Sequence, residues 1–208
     1  CRTLNSKSKA SMSKASTASA IETFSRSDRS FAVTSETWDK NPWIINTKTG
    51  TVDLETGKLK PSDPKNYTTK QTSVGPSDEP NCPTWRSFIN EATKGDAQLQ
   101  RFLQQISGYA LTGVVTEHAL FFLHGDGGNG KGVFLNTIAN ILGTYSTTAA
   151  IDTFTATRGD RHPTDLALLA GARLVSASET EEGRLWAEAR IKQMTGGDPI
   201  TARFMRKD

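Results

Sequence analysis

An α/β fold is predicted for this chain, and three observations predict it. Residues 119–123 form a short apolar run with two adjacent aromatics, the composition of a buried strand, and they lead into Gly125-Asp126-Gly127-Gly128-Asn129-Gly130-Lys131-Gly132. Directly after this glycine-rich segment, Val133, Leu135, Ile138, Ala139, Ile141 and Leu142 recur at helical spacing until Gly143 stops them. Residues 172–178 then form a second clear apolar strand, which ends in an acidic group at Glu179. Strands alternating with helical runs predict a parallel sheet flanked by helices.

In chain order, residues 1–36 are rich in Ser, Lys, Ala and Thr, with Met12, Ile21, Phe24, Phe31 and Val33 as scattered apolar groups. That composition predicts a linker or a weak helix acting as a solvated tether, with a basic arm touching nucleic acid as the lesser reading. The texture changes at Trp38. Residues 43–54 read as strand, tight turn and strand, and Lys58 to Lys60 as a third strand before Pro61. Gly50 and Gly57 permit the positive φ that the reversals need. Residues 67–74 are a candidate fourth strand. This small antiparallel meander holds no catalytic set and is expected to be scaffold.

Three prolines mark residues 75–83 as a linker. Trp85, Phe88, Ile89 and Ala92 then form one apolar helical face, ended near Gly95. Leu99, Phe102, Leu103, Ile106, Tyr109, Ala110 and Leu111 form another, ended by Gly113. Aromatic stripes at this spacing are read as core. Residues 144–151 are a further candidate strand, residues 163–169 a helix stopped by Gly171, and Leu185, Trp186, Ala189, Ile191 and Met194 one face of a last helix. His162 has no second His or Cys nearby and is not read as a metal ligand.

The chemistry is concentrated in the glycine segment. Strand, glycine loop, lysine and helix are the parts of a nucleotide phosphate-binding loop, and Gly125, Gly130 and Lys131 satisfy glycine, four residues, glycine, lysine. A chance match has an expectation of roughly 0.06 at this length, so the pattern is informative. Glycines let backbone N–H groups close around phosphate oxygens, the helix N-terminus adds partial positive charge, and Lys131 reaches the β- and γ-phosphates. The Ser or Thr that commonly follows the lysine, and whose hydroxyl binds Mg²⁺, is replaced by Gly132. A carboxylate at the end of a parallel strand beside such a loop is placed to hold Mg²⁺ and orient a water. Glu179 is the first candidate and Glu181 its partner. Near the end of the sequence, residues 195–199 form a sharp turn, and Arg203, Arg206 and Lys207 follow. They read equally as a hairpin offered to a nucleic-acid backbone or as an edge strand kept soluble by charge.

Composition sets outer bounds. The chain has 208 residues, enough for one large domain or two small ones, and a net charge of +3, which admits nucleic acid without arguing for it. Its two cysteines, Cys1 and Cys82, provide no disulfide framework and no metal-ligand spacing. No apolar run reaches the length of a membrane span and no signal peptide is evident, so no membrane partner is expected. Both ends are expected to be cuts in a longer polypeptide.

With these motifs in hand, the chain resembles the phage and plasmid primase-helicases, whose C-terminal half is a superfamily 3 helicase of the poxvirus primase-helicase type. Residues 127–131 resemble that family's phosphate-loop core, residues 178–183 its second motif, and Lys192 with residues 195–203 its third. Residues 39–74 and 85–113, especially 108–113, resemble the helper domain that precedes the motor. The resemblance implies a P-loop NTPase of AAA-like helicase type, preceded by a small β-meander plus helical domain. The implied division is a linker at 1–36, the helper domain at 37–113, and the N-terminal part of the helicase domain at 114–208, with the sensor Asn and arginine finger beyond the chain end. It implies ATP hydrolysis driving 3′-to-5′ movement on single-stranded DNA by a homo-hexamer, together with other replication proteins, in the cytoplasm of a bacterial host. ATP would be held by Gly125, Gly127, Gly128, Asn129, Gly130, Lys131, Gly132 and Val133, and Mg²⁺ by phosphates, water, Glu179 and Glu181. Lys131, Glu179 and Glu181 would be the catalytic set, and Lys192, Arg203, Arg206 and Lys207 the nucleic-acid contacts. A non-hydrolysing nucleotide-binding or oligomerisation module, and a structural interaction domain, are the alternative readings.

Overall fold

The strongest local signals become the elements of the computed structural model, which describes residues 6–156, 164–178 and 184–197. The chain divides into two compact units, residues 1–38 and 39–208. In the first, α1 (Ser6–Met12) and α2 (Ala15–Ser27) are short helices, and α2 buries none of its residues. Phe24 and Ile21 are exposed there, as a sequence with few large apolar groups dictates.

The second unit opens with the meander. Strands β1 (Ile44–Thr47), β2 (Gly50–Asp53) and β3 (Lys58–Lys60) form an antiparallel sheet in the order β1-β2-β3, with Ile45 opposite Val52 and Val52 opposite Leu59. Gly50 (φ +149°) brings its Cα so close to β3 that an added Cβ would lie 2.4 Å from the Lys60 carbonyl oxygen. At the other end, the Lys60 ammonium lies 2.8 Å from the Asp53 carboxylate. That hydrogen bond and the Thr56 amide hold the Asp53 carboxyl at about 2, below its ordinary 3.8.

The expected fourth strand at residues 67–74 is not formed, because its backbone serves two neighbours. The Thr72 amide donates to the Asn46 carbonyl of β1 (3.0 Å), whereas the Ser73 amide donates to the Ile141 carbonyl (3.0 Å) and the Gln71 carbonyl accepts from the Thr144 amide (3.0 Å). This segment therefore ties the meander to the helix that follows the glycine loop. Gly143, at φ +58°, makes the close approach possible, since a Cβ there would lie 2.6 Å from the Gln71 carbonyl oxygen.

Helices α3 (Pro83–Ala92) and α4 (Ala97–Tyr109) form the expected αα unit. Pro83 occupies the first turn of α3, where its missing N–H costs nothing, and the Asp96 side chain caps α4 by accepting from the Gln98 and Leu99 amides. Helix α5 (Lys131–Leu142) follows the glycine segment and ends at Gly143 as its pattern predicts. Strand β4 (Ser146–Thr148) pairs in parallel with β5 (Leu174–Ser176), joined by a crossover that contains α6 (Thr164–Ala167). The last helix, α7 (Glu188–Gly196), starts later than expected. Leu185 and Trp186 lie ahead of it in extended backbone, where the Ala156 amide donates to the Leu185 carbonyl (2.8 Å) and Thr155 bridges Trp186.

The expected strand at residues 119–123 is absent. Strand β5 has β4 as its ladder partner, and residues 119–123 form no ladder. Their aromatics make side-chain contacts instead: Phe121 edge-on to Phe102 (6.0 Å) and Tyr109 (6.5 Å), and Phe122 edge-on to Trp186 (6.0 Å). The outcome is a mixed α/β structure with a three-stranded antiparallel sheet and a two-stranded parallel one. The described residues do not build the broad parallel sheet of a complete phosphate-loop NTPase.

The core is centred on Ile45, Leu142 and Tyr145, with Val52, Leu54, Ala110, Leu111, Ile138 and Leu174 packed against it. The Tyr145 hydroxyl accepts the Asn46 amide (3.1 Å), and its ring lies 4.6 Å beneath the Arg173 guanidinium. Arg173 donates to the carbonyl oxygens of Leu111 and Ile44. Burial pushes the Arg173 guanidinium below its ordinary pKa, opposed by Tyr145 and Asp39, and pushes the Tyr145 hydroxyl upward. No helix among the described residues is long and apolar enough to cross a membrane.

Removing the Tyr145 hydroxyl leaves the Asn46 amide without its acceptor. Tyr145→Phe is expected to lower the unfolding free energy by about 1–2 kcal/mol, read from urea denaturation. The depressed Asp53 carboxyl stabilises the fold above pH 3.8, and this contribution is lost as the pH falls through about 2. The stability difference between the native chain and Asp53→Asn should therefore shrink across that window in acid unfolding followed by circular dichroism.

Candidate nucleotide-binding site

Three of the loop's glycines have backbone that favours glycine: Gly125 at φ +147°, Gly128 at +74° and Gly130 at +85°. Gly130 is the N-cap of α5, and the Phe134 amide donates to its carbonyl (2.9 Å) as the first bond of the helix. The amides of Lys131, Gly132 and Val133 thus have no acceptor within the helix, and they lie at its positive end. Together with the turn at residues 125–130, this supplies the donors and partial charge that a phosphate group needs.

Gly130 is required for a second reason. A Cβ on it would lie 3.0 and 3.2 Å from ring carbons of Phe88 and 3.3 Å from the Ala92 Cβ, so the loop rests directly on α3. The aromatic packing continues around it, with Trp85 against Phe88 (5.2 Å) and stacked on Phe134 of α5 (6.0 Å). The aromatic stripe on α3, expected to be core, is the platform of the loop.

Lys131 is the first residue of α5, and its ammonium turns back over the loop. It donates to the Gly125 carbonyl (2.6 Å), the Asp126 carbonyl (2.9 Å) and the Asn129 side-chain oxygen (2.8 Å). Asn129 therefore does more than fill a place in the pattern. Its amide nitrogen stands 2.6 Å from where a Gly125 Cβ would be, a contact that sequence spacing does not reveal.

Gly132 differs from its neighbours. Nothing lies within 4 Å of a Cβ built on it, so the residue is not imposed by packing. It offers no side-chain oxygen to Mg²⁺, and the described residues hold no cluster of three or more His, Cys, Asp or Glu able to bind a metal. Glu179 and Glu181, the expected Mg²⁺ and water ligands, lie outside the described residues, as do Arg203, Arg206 and Lys207. Lys192 is exposed on α7. A mainly apolar cavity of about 990 Å³ borders the loop at Gly125, Lys131 and Gly132 and extends past Phe121 and Phe122 to β5. Residues 119–123 and β5 line this cavity instead of pairing with each other.

Residues 2–94 match the family described as D5 N terminal like, and residues 123–208 match a family of unknown function, DUF5906. The D5 N-terminal-like region is the N-terminal region of phage and plasmid primase-helicase-like proteins. The match supports a relationship to those replication proteins. No curated protein matches the chain. Helix α3 lies in the first matched segment and the glycine loop in the second, so the packing of Phe88 and Trp85 on Gly130 and Phe134 joins the two.

The geometry sets opposite expectations for Gly130 and Gly132, two positions apart in the sequence. Gly130→Ala should destabilise the chain by about 1–3 kcal/mol through its positive φ and the contact with Phe88. Gly132→Ala should stabilise it by about 0.4–1 kcal/mol. Thermal or urea unfolding of the two variants reads the contrast.

Proposed function

We propose that the chain is the nucleotide-binding part of an ATP-dependent DNA helicase in a phage or plasmid replication primase-helicase. The observation that carries this reading is the placement of Lys131 at the N-terminus of α5, with its ammonium folded over a loop in which Gly125, Gly128 and Gly130 adopt positive φ. A triphosphate fits this arrangement through the free amides of the first helical turn, the loop backbone and the lysine. The link between the D5 N-terminal-like region and primase-helicase-like proteins supports the replication context. The superfamily 3 assignment rests on the motif resemblance.

In this reading Lys131 and the backbone amides of Gly125, Gly127, Gly128, Asn129, Gly130, Gly132 and Val133 bind the phosphates of ATP, and catalysis is mostly positioning and electrostatics. Bound Mg²⁺ would neutralise charge on the phosphates, with Glu179 and Glu181 as its protein ligands. Glu179 would also orient the attacking water. Lys192, Arg203, Arg206 and Lys207 would face single-stranded DNA in a homo-hexamer that works with other replication proteins in the bacterial cytoplasm. A second reading, nucleotide binding without turnover, is favoured by Gly132, which brings no hydroxyl to the metal.

Titration of ATP·Mg²⁺ against the 208-residue chain tests the shared first step. Saturable binding in the millimolar range or tighter is expected, and Lys131→Ala should weaken it about tenfold or more. Equal binding by the native chain and Lys131→Ala would remove the phosphate-site reading. Saturable binding without phosphate release would favour the module that holds nucleotide without hydrolysing it.

A further inference from the structure

We infer that Asn129 regulates the phosphate loop by competing with phosphate for the Lys131 ammonium, an inference that rests on the loop being a phosphate site. A lysine ammonium has three N–H donors and no acceptor. Here the loop supplies three acceptors within hydrogen-bond distance: the carbonyl oxygens of Gly125 and Asp126 and the side-chain oxygen of Asn129, at 2.6, 2.9 and 2.8 Å. The donor capacity of Lys131 is filled within its own loop. A phosphate oxygen can reach the ammonium only by taking the place of one of these acceptors.

The three are not equally easy to displace. Two are backbone carbonyls of the turn, and moving them means moving the loop. Asn129 can withdraw by rotation of its side chain alone. The chemistry also fixes which end of its amide faces the lysine, because an ammonium cannot accept and the carboxamide oxygen must point toward it. The amide nitrogen is then directed at Gly125, where it occupies the space a Cβ would take, 2.6 Å away. Gly125 and Asn129 thus form one device: the glycine leaves room for the side chain to fold back, and the side chain holds the lysine against the loop.

Asn129 is therefore a positioning residue that acts through Lys131, and its substitution has a sign that a purely structural or phosphate-contacting role would not produce. Removing a competing acceptor frees one donor for phosphate. Asn129→Ala should bind ATP·Mg²⁺ roughly threefold or more tightly than the native chain, and Asn129→Ser, whose hydroxyl is shorter, should shift in the same direction. Asn129→Asp, which holds the ammonium with a full charge, should weaken binding about tenfold. Inorganic pyrophosphate, titrated in parallel, should show the same order, since the competition is for phosphate and not for the base.

Isothermal titration of each folded variant, with Lys131→Ala beside them, separates the two claims. If Lys131→Ala loses binding while Asn129→Ala and Asn129→Ser bind as the native chain does or more weakly, the competition is overturned and the phosphate site stands. If Lys131→Ala binds as the native chain does, the phosphate site fails and the competition with it. Tighter binding by both the Ala and Ser variants, abolished when Lys131→Ala is added to either, is the expected result.

Discussion

Among the described residues of the second unit, the packing depends on Arg173 lying over the ring of Tyr145. A guanidinium removed from water is costly unless its donors and charge are met. Here the carbonyls of Leu111 and Ile44 accept from it and the face of Tyr145 offsets its charge. The Arg173 amide also donates to the Tyr145 carbonyl (2.7 Å), so backbone and side chain both hold the pair. Since Leu111 follows α4, Ile44 begins β1, and Arg173 precedes β5, one side chain draws the αα unit, the meander and the parallel strands to the same point. The Tyr145 hydroxyl, by accepting from Asn46, repeats the connection to β1.

This node anchors one end of α5, and the glycine loop sits at the other. A helix of 12 residues is about 18 Å long, so the core clamps the loop's supporting element at a distance and leaves the loop itself exposed. At the loop end the fixing contact is Gly130 against Phe88 and Ala92, backed by the Trp85–Phe134 stack. The helix is thus held at both termini by different parts of the preceding segment. That arrangement explains why a meander and helix pair without catalytic residues of their own are joined so closely to the phosphate loop: they set the position of the helix end that presents its amides.

Much of this was legible in the sequence because it is local. The meander follows from turn glycines between short apolar strands, α3 from Pro83 and its aromatic stripe, and α5 from a 3.6-residue pattern bounded by Gly130 and Gly143. The glycines and lysine of the loop were recognisable from spacing. What failed was whatever required a partner. Residues 119–123 have a strand's composition, but composition does not supply a neighbouring ladder, and their aromatics pack against Phe102, Tyr109 and Trp186 instead. Residues 67–74 have the composition of a strand, yet their hydrogen bonds divide between β1 and the end of α5. Leu185 and Trp186 fit a helical face, but extended pairing with residues 154–156 claims them first.

By itself the sequence determined which residues are glycine, where one helix must begin, and that a lysine stands at its first turn. Those features follow from backbone sterics and periodicity, which act over a few residues. Only the tertiary structure decided that Gly130 rests on α3, that Arg173 gathers three elements at Tyr145, and that the Lys131 ammonium is shared among Gly125, Asp126 and Asn129. The reason is physical: a hydrogen-bond donor or a ring face has many chemically adequate partners along a chain, and only packing selects the ones within reach.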